Sequence, residues 1–144
     1  MIPDFDANGN LPAGIHDSTI DEFQKRFAYN IIRKRLLTGL LKLIADLKAI
    51  DCKTIYIDGS YVTAKILPRD IDLCWDERSV DLANAKIKMP ILFDLDPPRE
   101  AQHSIYGCDV LLAYDIEFGS KIFFIDFFQL DRDGMPKGIV QIKI

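Results

Sequence analysis

At 144 residues, 49% hydrophobic and 28% charged, the chain has the length and composition of one globular domain with a sizeable core. Its net charge of −4 argues against a protein that coats DNA without sequence preference. The most apolar stretch, 123–128, is interrupted by Asp126, so no membrane span is expected, and the opening MIPDFDANGN lacks the basic-then-apolar order of a signal peptide.

Residues 1–17 are rich in turn formers (Pro3, Gly9, Pro12, Gly14) and read as an irregular arm. Ile2, Phe5, Leu11 and Ile15 within it are apolar, so the arm is expected to lie on the body. His16 reads as a structural histidine beside a helix start. Thr19-Ile20-Asp21-Glu22 has the form of a capping box, and a helix with Ile20, Phe23 and Phe27 inward should follow. After a break at Tyr29-Asn30, a longer helix is expected over 31–50. Leu36, Leu40, Leu43, Leu47 and Ile50 recur at three-four spacing there, widened by Leu37, Leu41 and Ile44. Arg33-Lys34-Arg35 reads as its solvated face.

Two strands come next. In 54–58, Ile55 and Ile57 alternate with Tyr56 and Asp58. In 70–75, Ile71, Leu73 and Trp75 share one face, while Asp70, Asp72 and Cys74 share the other. A short helix is expected over 79–85, and 90–93 should pack. Asp96-Pro97-Pro98 reads as a helix start, with Gly107 as its stop. A third strand is expected over 108–114, a turn over 115–119 and a helix over 120–130. After a turn at Asp133-Gly134, a final strand over 138–144 places Val140, Ile142 and Ile144 on one face. The fold class expected is α/β (α+β): a single domain over 1–144, with a small mixed sheet and helices packed mainly on one side. Cys52, Cys74 and Cys108 are odd in number and lack CxxC spacing. This points to buried thiols in a reducing cytoplasm, with neither a zinc site nor a disulfide framework.

Two carboxylates on one strand face repel each other, and packing alone would not select them. A divalent cation would, because Mg²⁺ takes hard oxygen ligands and shares them with substrate phosphates. A Gly-Ser turn supplies the complementary part, since glycine lets backbone N–H groups approach a phosphate and serine adds a donor. Gly59-Ser60 followed by Asp70-Ile71-Asp72 resembles the GS…DxD signature of the DNA polymerase β-like nucleotidyltransferases, in particular the minimal nucleotidyltransferases, small bacterial proteins often paired with a toxin or antitoxin. The opening MIPxFxxxGxLPxGIH is similar to that of an uncharacterised group of small nucleotidyltransferase-like proteins. The turn departs from many relatives, continuing Tyr61-Val62-Thr63-Ala64-Lys65 where they carry arginine and small residues.

The resemblance implies a polymerase β-like core that moves a nucleoside monophosphate from an NTP to a hydroxyl. Asp70 and Asp72 would hold two Mg²⁺ ions, and Gly59 and Ser60 would bind the β/γ-phosphates. Lys65 lies outside the family motif and is a candidate cation for the triphosphate. A third carboxylate is implied on a neighbouring strand. Asp109, at a strand entry, is chosen over Asp126, whose apolar surroundings raise the cost of an unpaired charge and whose helical spacing suggests a bond to Gln129. The acceptor stays open among an RNA end such as tRNA, a protein side chain and a small molecule. Two further readings are a non-catalytic antitoxin-like module that covers a partner toxin or other protein, and a nucleotide sensor without turnover.

Overall fold

The computed structural model describes all 144 residues. In chain order it contains β1 (Gly14–Ser18), α1 (Ile20–Phe27), α2 (Ile31–Ala49), β2 (Thr54–Asp58), β3 (Ile71–Trp75), α3 (Leu82–Lys88), α4 (Glu100–Tyr106), β4 (Cys108–Leu112), α5 (Phe124–Phe127) and β5 (Gly138–Lys143). The strands form one sheet in the order β1-β5-β2-β3-β4. The pairs β1–β5 and β3–β4 are parallel; β2 is antiparallel to both β3 and β5. The fold is therefore an α/β class protein with a mixed sheet.

One face of the sheet carries the main core. Ile55 and Ile57, Ile71, Leu73 and Trp75, Val110, and Val140 and Ile142 meet Phe23 and Phe27 of α1 and Leu37, Leu40, Leu43 and Leu47 of α2. Leu37 takes the core position expected of Leu36, which is only partly buried. The opposite face carries a smaller cluster in which Tyr56, Cys74, Leu111 and Ile139 pack against Ile125 and Phe128. Helices thus cover mainly one side. No helix is long and apolar enough to cross a membrane.

Several local expectations are corrected. Residues 14–18 of the arm form a strand, because β5 offers them a ladder from Gly14↔Gly138 to Ser18↔Ile142 that local sequence does not reveal. The rest of the arm packs as expected through buried Ile2 and Leu11. Thr19 caps α1 by accepting from Glu22 N at 3.1 Å, but Glu22 does not complete the box: its Oε1 instead accepts from Ile2 N at 3.0 Å. The helix expected over 79–85 lies three residues later, with Asp81 as its N-cap. α4 starts at Glu100, after a turn in which Arg99 N donates to Asp96 O. Pro98 disfavours the helical conformation for the residue before it, so Asp96 cannot cap a helix there. Residues 120–130 contain only one helical turn, 124–127, preceded by a bridge between Ile116 and Phe123. Its aromatic side chains divide between the smaller core and solvent, and no polar face exists to extend a longer helix.

Arg33 is the largest correction. It is fully buried, whereas Lys34 and Arg35 are exposed. Its guanidinium donates to the carbonyls of Phe27 at 3.1 Å, Tyr61 at 2.7 Å and Thr63 at 3.1 Å, and also to that of Lys65. It lies 4.9 Å from the Tyr61 ring centre, and the Tyr61 hydroxyl donates back to Arg33 O at 2.8 Å. The connection from β2 to β3 is thus fastened to α2 by one side chain with five N–H donors.

Replacing that fork should be costly. Arg33→Met is expected to lower the unfolding free energy by at least about 3 kcal/mol, since several buried carbonyls lose their donor. Urea denaturation checks this, and a loss below about 1 kcal/mol would mean that water takes over the guanidinium's bonds.

Candidate metal and phosphate site

Strand register builds the site. Antiparallel pairing sets Asp58 opposite Asp72, and parallel pairing sets Asp72 opposite Asp109. All three side chains stand on the face away from the main core, so three carboxylates form a row across β2, β3 and β4. Asp70, two residues before Asp72, adds a fourth on the same side.

Two members of the row have cationic partners. Lys137 Nζ donates to Asp58 Oδ1 at 2.7 Å. Arg99 Nη1 donates to Asp109 Oδ1 at 3.2 Å, and His103 Nε2 lies 2.8 Å from the same oxygen. Asp70 and Asp72 form no ion pair. Burial raises the Asp72 carboxyl first, then the charges of Asp70, Asp109 and Asp58, and together they push it up to about 8. Burial and then Asp109 also raise Asp70, and burial raises Asp58 despite Lys137.

Gly59 ends β2 with φ 78°, a left-handed value that suits glycine. A Cβ placed there would stand 2.1 Å from Asp72 Oδ2, so the turn and the carboxylate need each other's shape. Ser60 opens a single 3₁₀ turn over Ser60–Val62 and is half-buried. Lys65 is exposed, and its charge favours the ionised form of Asp70.

α4 and the turn before it bring in residues that sequence alone did not suggest. Arg99, in that turn, and His103, within the helix, both reach Asp109. The helix is held by Gln102, fully buried, whose amide donates to Val110 O at 3.2 Å and accepts from Val110 N at 2.9 Å. It also crosses α2 closely: a Cβ on Gly39 would stand 2.0 Å from Tyr106 O, and the Tyr106 hydroxyl donates to Asp46 at 2.6 Å. Asp58 carried one legible signal, since it shares a strand face with Tyr56 and directly precedes Gly59.

Beside the row opens a cleft of about 690 Å³. Asp58, Asp72 and Asp109 line it together with Arg99 and Lys137, while Phe124 and Phe128 contribute to its apolar part. Asp126 is exposed and lies outside it, and the Gln129 amide donates to Ile125 O and not to the Asp126 carboxylate. The apolar confinement expected of Asp126 is therefore absent. All three cysteines are buried and free, and burial pushes the Cys74 and Cys108 thiols up, which makes them poor nucleophiles.

A model of a family described as a family of unknown function (DUF6932) matches residues 3–143, and the chain belongs to that family. No curated protein matches the chain. No solved structure matches it either.

The row sets a pH dependence. Folded Asp72 titrates near 8, against about 3.9 for an ordinary unfolded aspartate. Between those values the native state holds a proton that the unfolded chain has released, so its stability falls as pH rises from about 4 to about 8. Asp72→Asn should flatten this slope and stabilise the metal-free protein at neutral pH. Thermal melts across that range test it, and equal slopes for both proteins would show that Asp72 is not the strained charge.

Proposed function

We propose that this member of the DUF6932 family is a Mg²⁺-dependent nucleotidyltransferase, moving a nucleoside monophosphate from an NTP to a hydroxyl acceptor. One observation carries the reading: Asp72 is pressed among three other carboxylates and against Gly59, with no cation of the protein's own. The donor set fits the group. Asp70, Asp72 and Asp109 offer only hard carboxylate oxygens, as Mg²⁺ requires. When bound, two Mg²⁺ ions would stabilise charge on the attacking and leaving oxygens.

The chain's own residues do the rest. Asp70 and Asp72 would hold the ions, and Asp109 would complete the donor set from the neighbouring strand. Gly59 leaves room for close approach to the β/γ-phosphates, and the Ser60 hydroxyl would donate to them. Arg33 holds the carbonyls of the 61–65 connection, which keeps the turn in place while nucleotide binds. Arg99 and Lys137 neutralise the outer carboxylates and limit repulsion of a triphosphate. The acceptor hydroxyl oxygen would bond to the α-phosphorus as the bond to pyrophosphate breaks, its proton passing to solvent.

The test is incubation of the protein with each labelled NTP, Mg²⁺ and a cell extract. Label should enter one macromolecule, an RNA or a protein, and chelation should abolish transfer. Asp72→Asn should lower transfer by roughly a hundredfold or more while the fold persists. Asp109→Asn should cost turnover far more than nucleotide binding. In calorimetry, Ser60→Ala should weaken triphosphate binding more than monophosphate binding; equal loss would remove the turn from the phosphate site.

A second reading, a non-catalytic module that covers a partner protein, draws on one feature. Phe118 is 95% exposed beside half-exposed Ile116, and both line the cleft. Complex formation without pyrophosphate release would favour it.

A further inference from the structure

From the geometry around Asp109 we infer that His103 is a metal ligand, and that with Asp70 and Asp109 it forms a mixed nitrogen–oxygen position preferring a first-row transition ion such as Mn²⁺ over Mg²⁺. This deepens the reading of the carboxylate row as a metal centre and rests on it. The resemblance carried by Gly59-Ser60 and Asp70-Ile71-Asp72 does not supply a histidine here, and neither does strand periodicity, because His103 arrives from a helix.

The ligating atoms of Asp70, His103 and Asp109 all lie within 4.8 Å of one another. Two ligands on opposite sides of an ion, each about 2.0–2.2 Å from it, stand up to about 4.4 Å apart, so small side-chain adjustments close the set. All three residues are partly buried, neither locked in the core nor loose in solvent. The elements that carry them are fixed. Asp109 is in the β3–β4 ladder, and Asp70 directly precedes β3, whose first residue, Ile71, donates its N–H to Gly107 O at 3.1 Å. His103 rides on α4, which Gln102 ties to β4 and Tyr106 ties to α2.

Arg99 donates to Asp109 Oδ1, the oxygen that also faces His103 Nε2. The Asp109 carboxylate also meets Asp72 across the strands, and Arg99 would orient it in the manner of an outer-shell partner when it ligates an ion. Asp70 has no ion pair to give up. Imidazole is a ligand of first-row transition ions, whereas Mg²⁺ keeps oxygen ligands and sheds its waters reluctantly; Mn²⁺, which opens that series and shares the liking for oxygen, suits two carboxylates with one nitrogen. One nitrogen in the set therefore separates this position from the all-oxygen one at Asp72.

The experiment is pulsed electron paramagnetic resonance of the full-length protein with Mn²⁺ alone and no nucleotide, alongside calorimetry with Mn²⁺ and with Mg²⁺. The expected result is a saturable Mn²⁺ site with ¹⁴N coupling from a directly bound imidazole. Its affinity should exceed that for Mg²⁺ by roughly tenfold or more. In His103→Gln, checked for folding by its thermal melt, the nitrogen coupling should vanish and Mn²⁺ affinity should fall by about tenfold, with Mg²⁺ affinity little changed. Saturable Mn²⁺ binding without nitrogen coupling in the unaltered protein overturns the assignment, whatever the variant does. So does the absence of Mn²⁺ binding. Label transfer with Mg²⁺ and no nitrogen coupling would sink this inference alone, whereas nitrogen coupling without transfer from any NTP would keep the site and sink the transferase reading.

Discussion

Like-charge repulsion across three neighbouring strands organises this molecule's candidate site. Asp58, Asp72 and Asp109 are opposed by register, and none can move off the row without breaking ladder pairs. Much of the surrounding structure answers that repulsion. Lys137 reaches Asp58 from just before β5, Arg99 reaches Asp109 from just before α4, and His103 reaches it from within α4. Asp72, in the middle, is left to protonation or to a cation from outside. Gly59 belongs to the same constraint, because only a residue without a side chain leaves the Asp72 carboxylate where it is. A site that balances every charge would have little affinity for an ion, and this one leaves its central charge unbalanced.

The balance also separates the two faces of the sheet. The main core is apolar, with aliphatic and aromatic side chains together, and specific polar ties at Arg33, Gln102 and Tyr106 fasten the elements around it. The other face has a smaller apolar cluster that ends where the carboxylates begin. The carboxylate row is thus placed at the boundary of the thinner core, beside the open cleft, while the thicker one holds the strand ends still. The thiols lie on both faces, Cys108 in the main core and Cys74 in the smaller cluster, and both are buried away from the cleft.

Strand content was legible where alternation is local. Ile71, Leu73 and Trp75 against Asp70, Asp72 and Cys74 give both the strand and its two faces, and Thr19 and Gly107 mark helix ends by familiar capping chemistry. What was not legible depends on partners far away in sequence. β1 is a strand only because β5 lies beside it, and Arg33 is buried only because the 61–66 carbonyls converge on it. Composition misled at 120–130, where an apolar run with no polar face fits either a helix or an irregular cover over a cluster. Within the site, Asp70, Asp72 and Gly59 were readable from spacing. Asp58 needed the strand pairing, and Arg99 and His103 needed the packing of α4, which no short motif encodes.

The sheet order has a consequence for how the chain folds. β5, last of the five strands in sequence, lies between β1 and β2, so the central ladder joins Gly14 to Gly138 and Ile57 to Val140. Pairings this distant in sequence carry a large loop-closure cost before any contact rewards them, which places the protein among slow folders. During synthesis the β2–β3–β4 half can form while β2 still shows an unpaired edge. That edge carries Ile55 and Ile57, and it stays open until the final strand emerges from the ribosome. The interval before β5 docks is when the chain is most exposed to mispairing with another copy of itself, and when a chaperone would have most to protect.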